Sequence, residues 1–172
     1  PSVERAAVLT SVGGLLSVQV TEIQPEFIWR NVEGLHLISA KGDMLRRVPL
    51  RADFAHLPLI AGEGAIASLR EARGVLDTAA PISDRLRGLV RIGERRWDLV
   101  LLDGQTIALP EANPEQVLAQ VIVLSAAQDL FERDILLIDF RNPRRPTLRL
   151  RPQALAGLKL VKGVTFWRLL NE

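Results

Sequence analysis

"RRWDLVLLDGQTIALP", residues 95–110, is the stretch on which the reading of the fold turns. Trp97, Leu99 and Leu101 alternate with Asp98, Val100 and Leu102, the period of two of a strand with one face on a core. Asp103-Gly104 supplies the residue types of a two-residue turn with positive φ at both positions, and residues 105–109 return antiparallel. The hairpin places Trp97 inside and a pair of arginines, Arg95 and Arg96, at its mouth.

Working outward, residues 15–22 (LLSVQVTE) also alternate, with Leu16, Val18 and Val20 on one face. FIWRN (27–31), LHLIS (35–39) and Met44-Leu45 continue as strands joined at Glu33-Gly34 and Lys41-Gly42-Asp43, so the first fifty residues read as a small meander. Pro49, Pro58 and Gly62 then change the character of the text and suggest a boundary between two subdomains. Residues 65–76 carry Ile66, Leu69, Ala72 and Leu76 at helical spacing, and residues 81–86 suit a short helical turn.

Downstream, Asn113-Pro114 with Gln116 predicts a capped helix start: Asn113 as N-cap, proline in the first turn and a reciprocal Gln116 bond. Val117, Val121 and Leu124 form its stripe, widened by Leu118 and Ile122. DILLIDF (134–140) is nearly continuously apolar and predicts a central strand covered on both faces. Asn142 to Pro146 turns the chain into TLRL (147–150), a last alternating strand ended by Pro152. The order of strands, helix, strands, helix and strands predicts an α+β fold with mainly antiparallel sheet.

The 172 residues are 48% hydrophobic and 24% charged, a globular composition with a core to bury. With zero cysteines the chain has no disulfide or thiolate chemistry. No apolar run reaches the roughly 20 residues of a membrane span. The net charge of +2 hides an asymmetry. Residues 1–140 carry 14 basic and 19 acidic groups (−5), whereas residues 141–172 carry 8 and 1 (+7).

Catalytic chemistry finds little footing. His36 and His56 have no partner at ligand spacing, no serine sits between the glycines of a nucleophile elbow, and GEGA (62–65) lacks the spacing of a dinucleotide loop. Asp98 with Asp103 and Asp134 with Asp139 are carboxylate pairs without an evident cleft. Neither a metal nor a cofactor is expected. Recognition remains: TLRL has the form of an edge strand, with Arg149 opposite Leu148 and Leu150 and with Arg141, Arg144 and Arg145 just upstream. Such an edge offers a partner main-chain pairing and charge-assisted contacts. Alternation places Trp97 and Phe140 in the core.

The succession VQVTEIQPEFIW, LISAKGDML, LPLIAGEGA, RRWDLVLLDGQTIALPE and RDILLIDFR resembles the FtsQ family of bacterial cell-division proteins, in its alphaproteobacterial form, across roughly residues 1–150. The resemblance implies the periplasmic part of a single-pass inner-membrane protein, a POTRA domain followed by a β domain, acting as a non-enzymatic divisome scaffold during septum formation. Its cytoplasmic tail, transmembrane helix and the start of the POTRA domain have no counterpart here. Residues 1–48 are therefore expected to be the C-terminal part of a POTRA domain, and 49–172 the β domain with a basic tail. The implied partners are the coiled-coil division proteins FtsB and FtsL, with FtsB adding a strand to the C-terminal edge. Carried onto this chain, that edge falls on Thr147, Leu148, Arg149 and Leu150 and on Asp139, Phe140 and Arg141, and the arginine before the Trp hairpin falls on Arg95 or Arg96. The competing readings are a nucleic-acid or anionic-surface binder using the +7 tail, and a POTRA-type chaperone of outer-membrane transport. Nucleic acid is not expected as a partner of an FtsQ-type chain.

Overall fold

The computed structural model describes residues 3–10, 16–152 and 154. Strands β1 (Val3–Thr10) and β2 (Leu16–Glu22) pair antiparallel as a separate two-stranded sheet. The other nine are β3 (Pro25–Asn31), β4 (Gly34–Ser39), β5 (Met44–Val48), β6 (Leu59–Ala61), β7 (Leu86–Ile92), β8 (Arg96–Leu101), β9 (Thr106–Ala108), β10 (Ile135–Asp139) and β11 (Thr147–Leu150). They form one sheet in the order β11-β10-β9-β8-β7-β6-β3-β4-β5. Five of its eight neighbouring pairs are antiparallel, the exceptions being β3 with β6, β6 with β7 and β9 with β10, so the fold is α+β with a mainly antiparallel sheet. Strands on both sides of position 48/49 share this sheet, since β3 lies directly against β6. The expected strand at 15–22 exists as β2, but it pairs with β1 rather than joining a meander with β3 to β5.

Two helices, α1 (Leu69–Thr78) and α2 (Pro114–Gln128), cover one face, called here the inner face. α1 buries Leu69, Ala72 and Val75; α2 buries Val117, Leu118, Val121 and Ser125. Beneath them lie Trp97, Leu99, Leu101, Ile107 and Ile138, all 2% exposed or less, at the alternating positions read from the sequence. Arg91 crosses into the same layer. Its guanidinium lies 5.1 Å from the centre of the Trp97 ring and donates to Glu71 of α1 at 2.6 Å and to the Glu94 carbonyl at 3.1 Å, tying the helix to β7. On the outer face a second cluster, Ile28, Leu37, Val48 and Leu57, is closed by the segment 51–57.

Three local expectations are corrected. The turn with positive φ at both positions lies at Gly93-Glu94 (φ 55° and 57°), between β7 and β8. At 103–104 only Gly104 is left-handed (φ 87°), and the Leu101 N–H bonds to the Gln105 carbonyl at 2.8 Å, so this hairpin has a three-residue loop with a glycine bulge. Asn113 does precede α2, with Pro114 in the first turn, but it is left-handed (φ 53°) and its side chain makes no capping bond; asparagine tolerates that conformation better than most residues. Strand β10 is not central. It lies one strand from the edge, Leu136 is 38% exposed, and its apolar run reflects contact with α2 on one side only.

No helix of the described residues is long and apolar enough to cross a membrane. The indole N–H of Trp97 is buried without an acceptor, so the ring serves by its apolar bulk. Trp97→Ala is expected to cost about 3–5 kcal/mol in urea unfolding and Trp97→Phe much less; equal losses from the two would show that the nitrogen matters.

Candidate functional site

The open end of the large sheet is built by β8 to β11. Registers place a single row across the outer face: Val90, Asp98, Ala108, Asp139 and Thr147. Ala108, 3% exposed, separates the two carboxylates, which stand two strand spacings apart, about 10 Å by strand geometry. Each has an arginine two residues along its own strand or just beyond it. Arg96 donates to Asp98 at 3.4 Å, whereas Arg141 holds Asp139 through both Nε and Nη2, the shortest contact being 2.6 Å, and its backbone N–H is a third donor to the same carboxylate. The spacing of two explains the geometry: side chains two apart on an extended chain share a face.

The two carboxylates respond differently. Hydrogen bonding from Arg141 holds the Asp139 carboxyl below its ordinary range against a smaller desolvation effect. Asp98 is pushed up, because desolvation between the strands outweighs the pull of Arg96 and Arg141. Neither arginine is therefore an unoccupied cation: Arg96 and Arg141 are already engaged inside the chain. Arg95, in the turn, and Arg144, Arg145 and Arg149 are exposed and make no side-chain hydrogen bond or ion pair among the described residues.

Among the described residues β11 is the terminal strand, hydrogen-bonded to β10 alone. Leu148 and Leu150 lie on the inner side and are half-buried, while Thr147 and Arg149 point outward, matching the alternation read from TLRL. Phe140 differs from its neighbours Asp139 and Arg141: it is 6% exposed, belongs to the core, and donates its N–H to the Ala108 carbonyl at 2.9 Å. Ser125 accepts from the Phe131 N–H, and the buried amide of Gln105 donates to the carbonyls of Phe131 and Arg133, holding the loop that leads into β10.

One feature of this end was missed from the sequence. Beside the inner side of β11 lies an apolar groove of about 660 Å³, lined by Ala119, Val123, Leu124, Ala127, Phe140 and Pro146. Val123 on α2 is 70% exposed. The signal was legible in PEQVLAQVIVLSAAQ, which is apolar around much of the helix and not on one stripe alone. Among the described residues no group of three His, Cys, Asp or Glu side chains is placed to hold a metal.

Comparison with known proteins matches this architecture. Residues 27–141 match the family of the cell division protein FtsQ/DivIB, C-terminal, a match that begins in β3 and ends at Arg141. Over 152 residues the chain is 43% identical to the cell division protein FtsQ of Dinoroseobacter shibae, covering 88% of this chain and 51% of the relative. Against the FtsQ proteins of Cereibacter sphaeroides and Paracoccus denitrificans the identities are 43% and 41%, over 95% and 94% of this chain and 53% and 48% of theirs. The chain thus spans about half the length of these relatives. With the family match covering well over half of its residues, the chain belongs to the FtsQ family of cell division proteins.

Proposed function

We propose that this chain is the partner-docking part of an FtsQ-type division protein, a scaffold without catalysis of its own that acts in septum formation. It receives FtsB-like and FtsL-like coiled-coil proteins at the β11 edge. The observation that carries the reading is the terminal position of β11, which among the described residues has one hydrogen-bonded neighbour in a nine-stranded sheet. A partner strand laid along Thr147 to Leu150 continues the ladder, and its inward side chains fall toward the Val123 and Phe140 groove. Main-chain bonds then supply affinity and the groove selects an apolar side chain.

Electrostatics add orientation. Arg95, Arg144, Arg145 and Arg149 attract carboxylates, whereas Arg96 and Arg141 are balanced by Asp98 and Asp139 and offer their remaining donors only in competition with those acids. In this account Arg95 is the member of the hairpin pair that meets the partner, because Arg96 is half-buried and paired. We place the domain in the periplasm, as the soluble part of a protein anchored in the inner membrane, and propose the POTRA part, expected at residues 1–48, for the residues before β3 alone, because β3 to β5 share one sheet with β6 to β11.

Three outcomes test the edge. Thr147→Pro is expected to abolish binding of the partner's periplasmic part in calorimetry, since proline disrupts the ladder geometry. Arg95→Glu and Arg141→Glu are each expected to weaken it by about tenfold, with steeper loss in salt for the wild type than for the variants. Unchanged affinity in all three, with native circular dichroism, contradicts the assignment.

Asp98 gives a separate pH signature. A folded pKa above the unfolded one means that ionisation weakens the fold, a cost absent below the ordinary carboxylate range and complete above the raised value. Asp98→Asn is therefore expected to raise Tm at neutral pH and to leave it unchanged near about pH 3. Asp139 has the opposite sign: its contribution is present at neutral pH and lost as pH falls through its lowered pKa, so Asp139→Asn lowers Tm at neutral pH.

A further inference from the structure

The outer face of the sheet is covered over β3 to β5 by the segment 51–57. At the border of that cover lies a second groove, of about 690 Å³, that shares no residue with the β11 edge. Leu35, Leu59, Leu86 and Leu102 give it an apolar lining, and Arg30, Arg51 and Arg87 bring the charge. Leu102 is 64% exposed, an unusual state for a leucine at a hairpin turn where a polar side chain would be solvated without cost.

The three arginines are not equivalent. Arg51 is committed to the chain, donating to the carbonyls of Phe54, Ala55 and Leu57, and its burial lowers its pKa. Arg30 and Arg87 are exposed, and among the described residues neither makes a side-chain hydrogen bond or ion pair. Among the described residues no carboxylate lines the groove. Of the acids nearby, Asp103 pairs with Arg151 at 3.5 Å and Glu132 with Arg85, while Asp77 lines an adjoining pocket that shares Arg51, Leu59, Leu86 and Arg87 with this groove. The groove's own lining thus combines four leucines with two arginines that make no ion pair among the described residues.

We infer that this groove is a second docking surface, which takes an acidic, amphipathic peptide segment of another protein. Its carboxylates pair with Arg30 and Arg87, while its apolar side chains cover Leu59, Leu86 and Leu102. Charge complementarity selects this occupant. A copy of the same face would bring arginine against arginine, and the lining has no aromatic ring on which a base could stack. A bilayer is disfavoured because three of the four leucines are recessed, half-buried beside the protruding Leu102. With the β11 edge also occupied, the domain would hold two partner segments at once on separate parts of one sheet, which is what a scaffold requires.

The test is photo-crosslinking in cells from p-benzoylphenylalanine placed at Leu102 of the full-length protein, with the crosslinked peptide sequenced by mass spectrometry. The expected result is a protein adduct whose crosslinked peptide carries several Asp or Glu residues. The adduct should fall about tenfold or more with Arg30→Glu/Arg87→Glu, persist with Arg30→Lys/Arg87→Lys, and persist with Thr147→Pro, which disables only the edge. Native melting of the charge-reversed protein excludes misfolding. No adduct, an adduct on lipid, a crosslinked peptide without carboxylates, or an adduct indifferent to the charge reversal would each overturn the inference. Loss with Thr147→Pro alone would show that the contact depends on the edge and that no independent second surface exists.

Discussion

The alternation of β8 is the constraint on which the rest depends. Trp97, Leu99 and Leu101 face the helices and are buried in the main core. Once they do, Arg96, Asp98 and Val100 have no choice but to face outward, and a slip of one residue would exchange the two sets. The core and the proposed docking surface are therefore consequences of one register. Arg91 strengthens it from the neighbouring strand, its guanidinium held over Trp97 and anchored by Glu71 of α1. The indole face, rather than the indole N–H, is what the site uses.

From that register the open end of the sheet follows by pairing. β9 returns beside β8 through the Gly104 bulge, β10 arrives in parallel beside β9, and β11 ends the sheet among the described residues. The carboxylates of β8 and β10 end up on either side of Ala108, where a larger residue would push them apart, and each holds an arginine from its own strand or the residue just after it. The edge is protected in the way native edges are, by brevity and charge: four residues, one of them an exposed arginine, with more arginines in the preceding turn. In the proposed docking, those same features would orient an acidic partner.

Much of this was legible in the sequence because it rests on local periodicity. The Trp97 hairpin, the edge character of TLRL and the helices at 69–78 and 114–128 follow from spacings of two and three to four residues. What failed depended on distant partners. DILLIDF reads as a doubly covered strand, but whether an apolar run is central is decided by which strands arrive beside it, and here α2 covers only one side. Asn113 has the residue type of a cap, but its left-handed backbone points the side chain away from that role. The arginine pair illustrates the same limit. Sequence left Arg95 and Arg96 equivalent, and only the strand register separates them, placing Arg96 beside Asp98 and leaving Arg95 in the turn. The parallel pairing of β3 with β6 joins residues about thirty positions apart and has no local signature.

The central claim is that a partner completes the sheet at β11, and amide hydrogen exchange tests it most directly. Followed residue by residue on the chain with and without the periplasmic part of its FtsB-like partner, the alternate amides of residues 147–150 that face away from β10 gain protection, while those already bonded to β10 change little. Protection confined to the helix α2 surface or the arginine-bearing turns, with the outward amides of β11 exchanging as fast as in the free chain, would contradict strand addition.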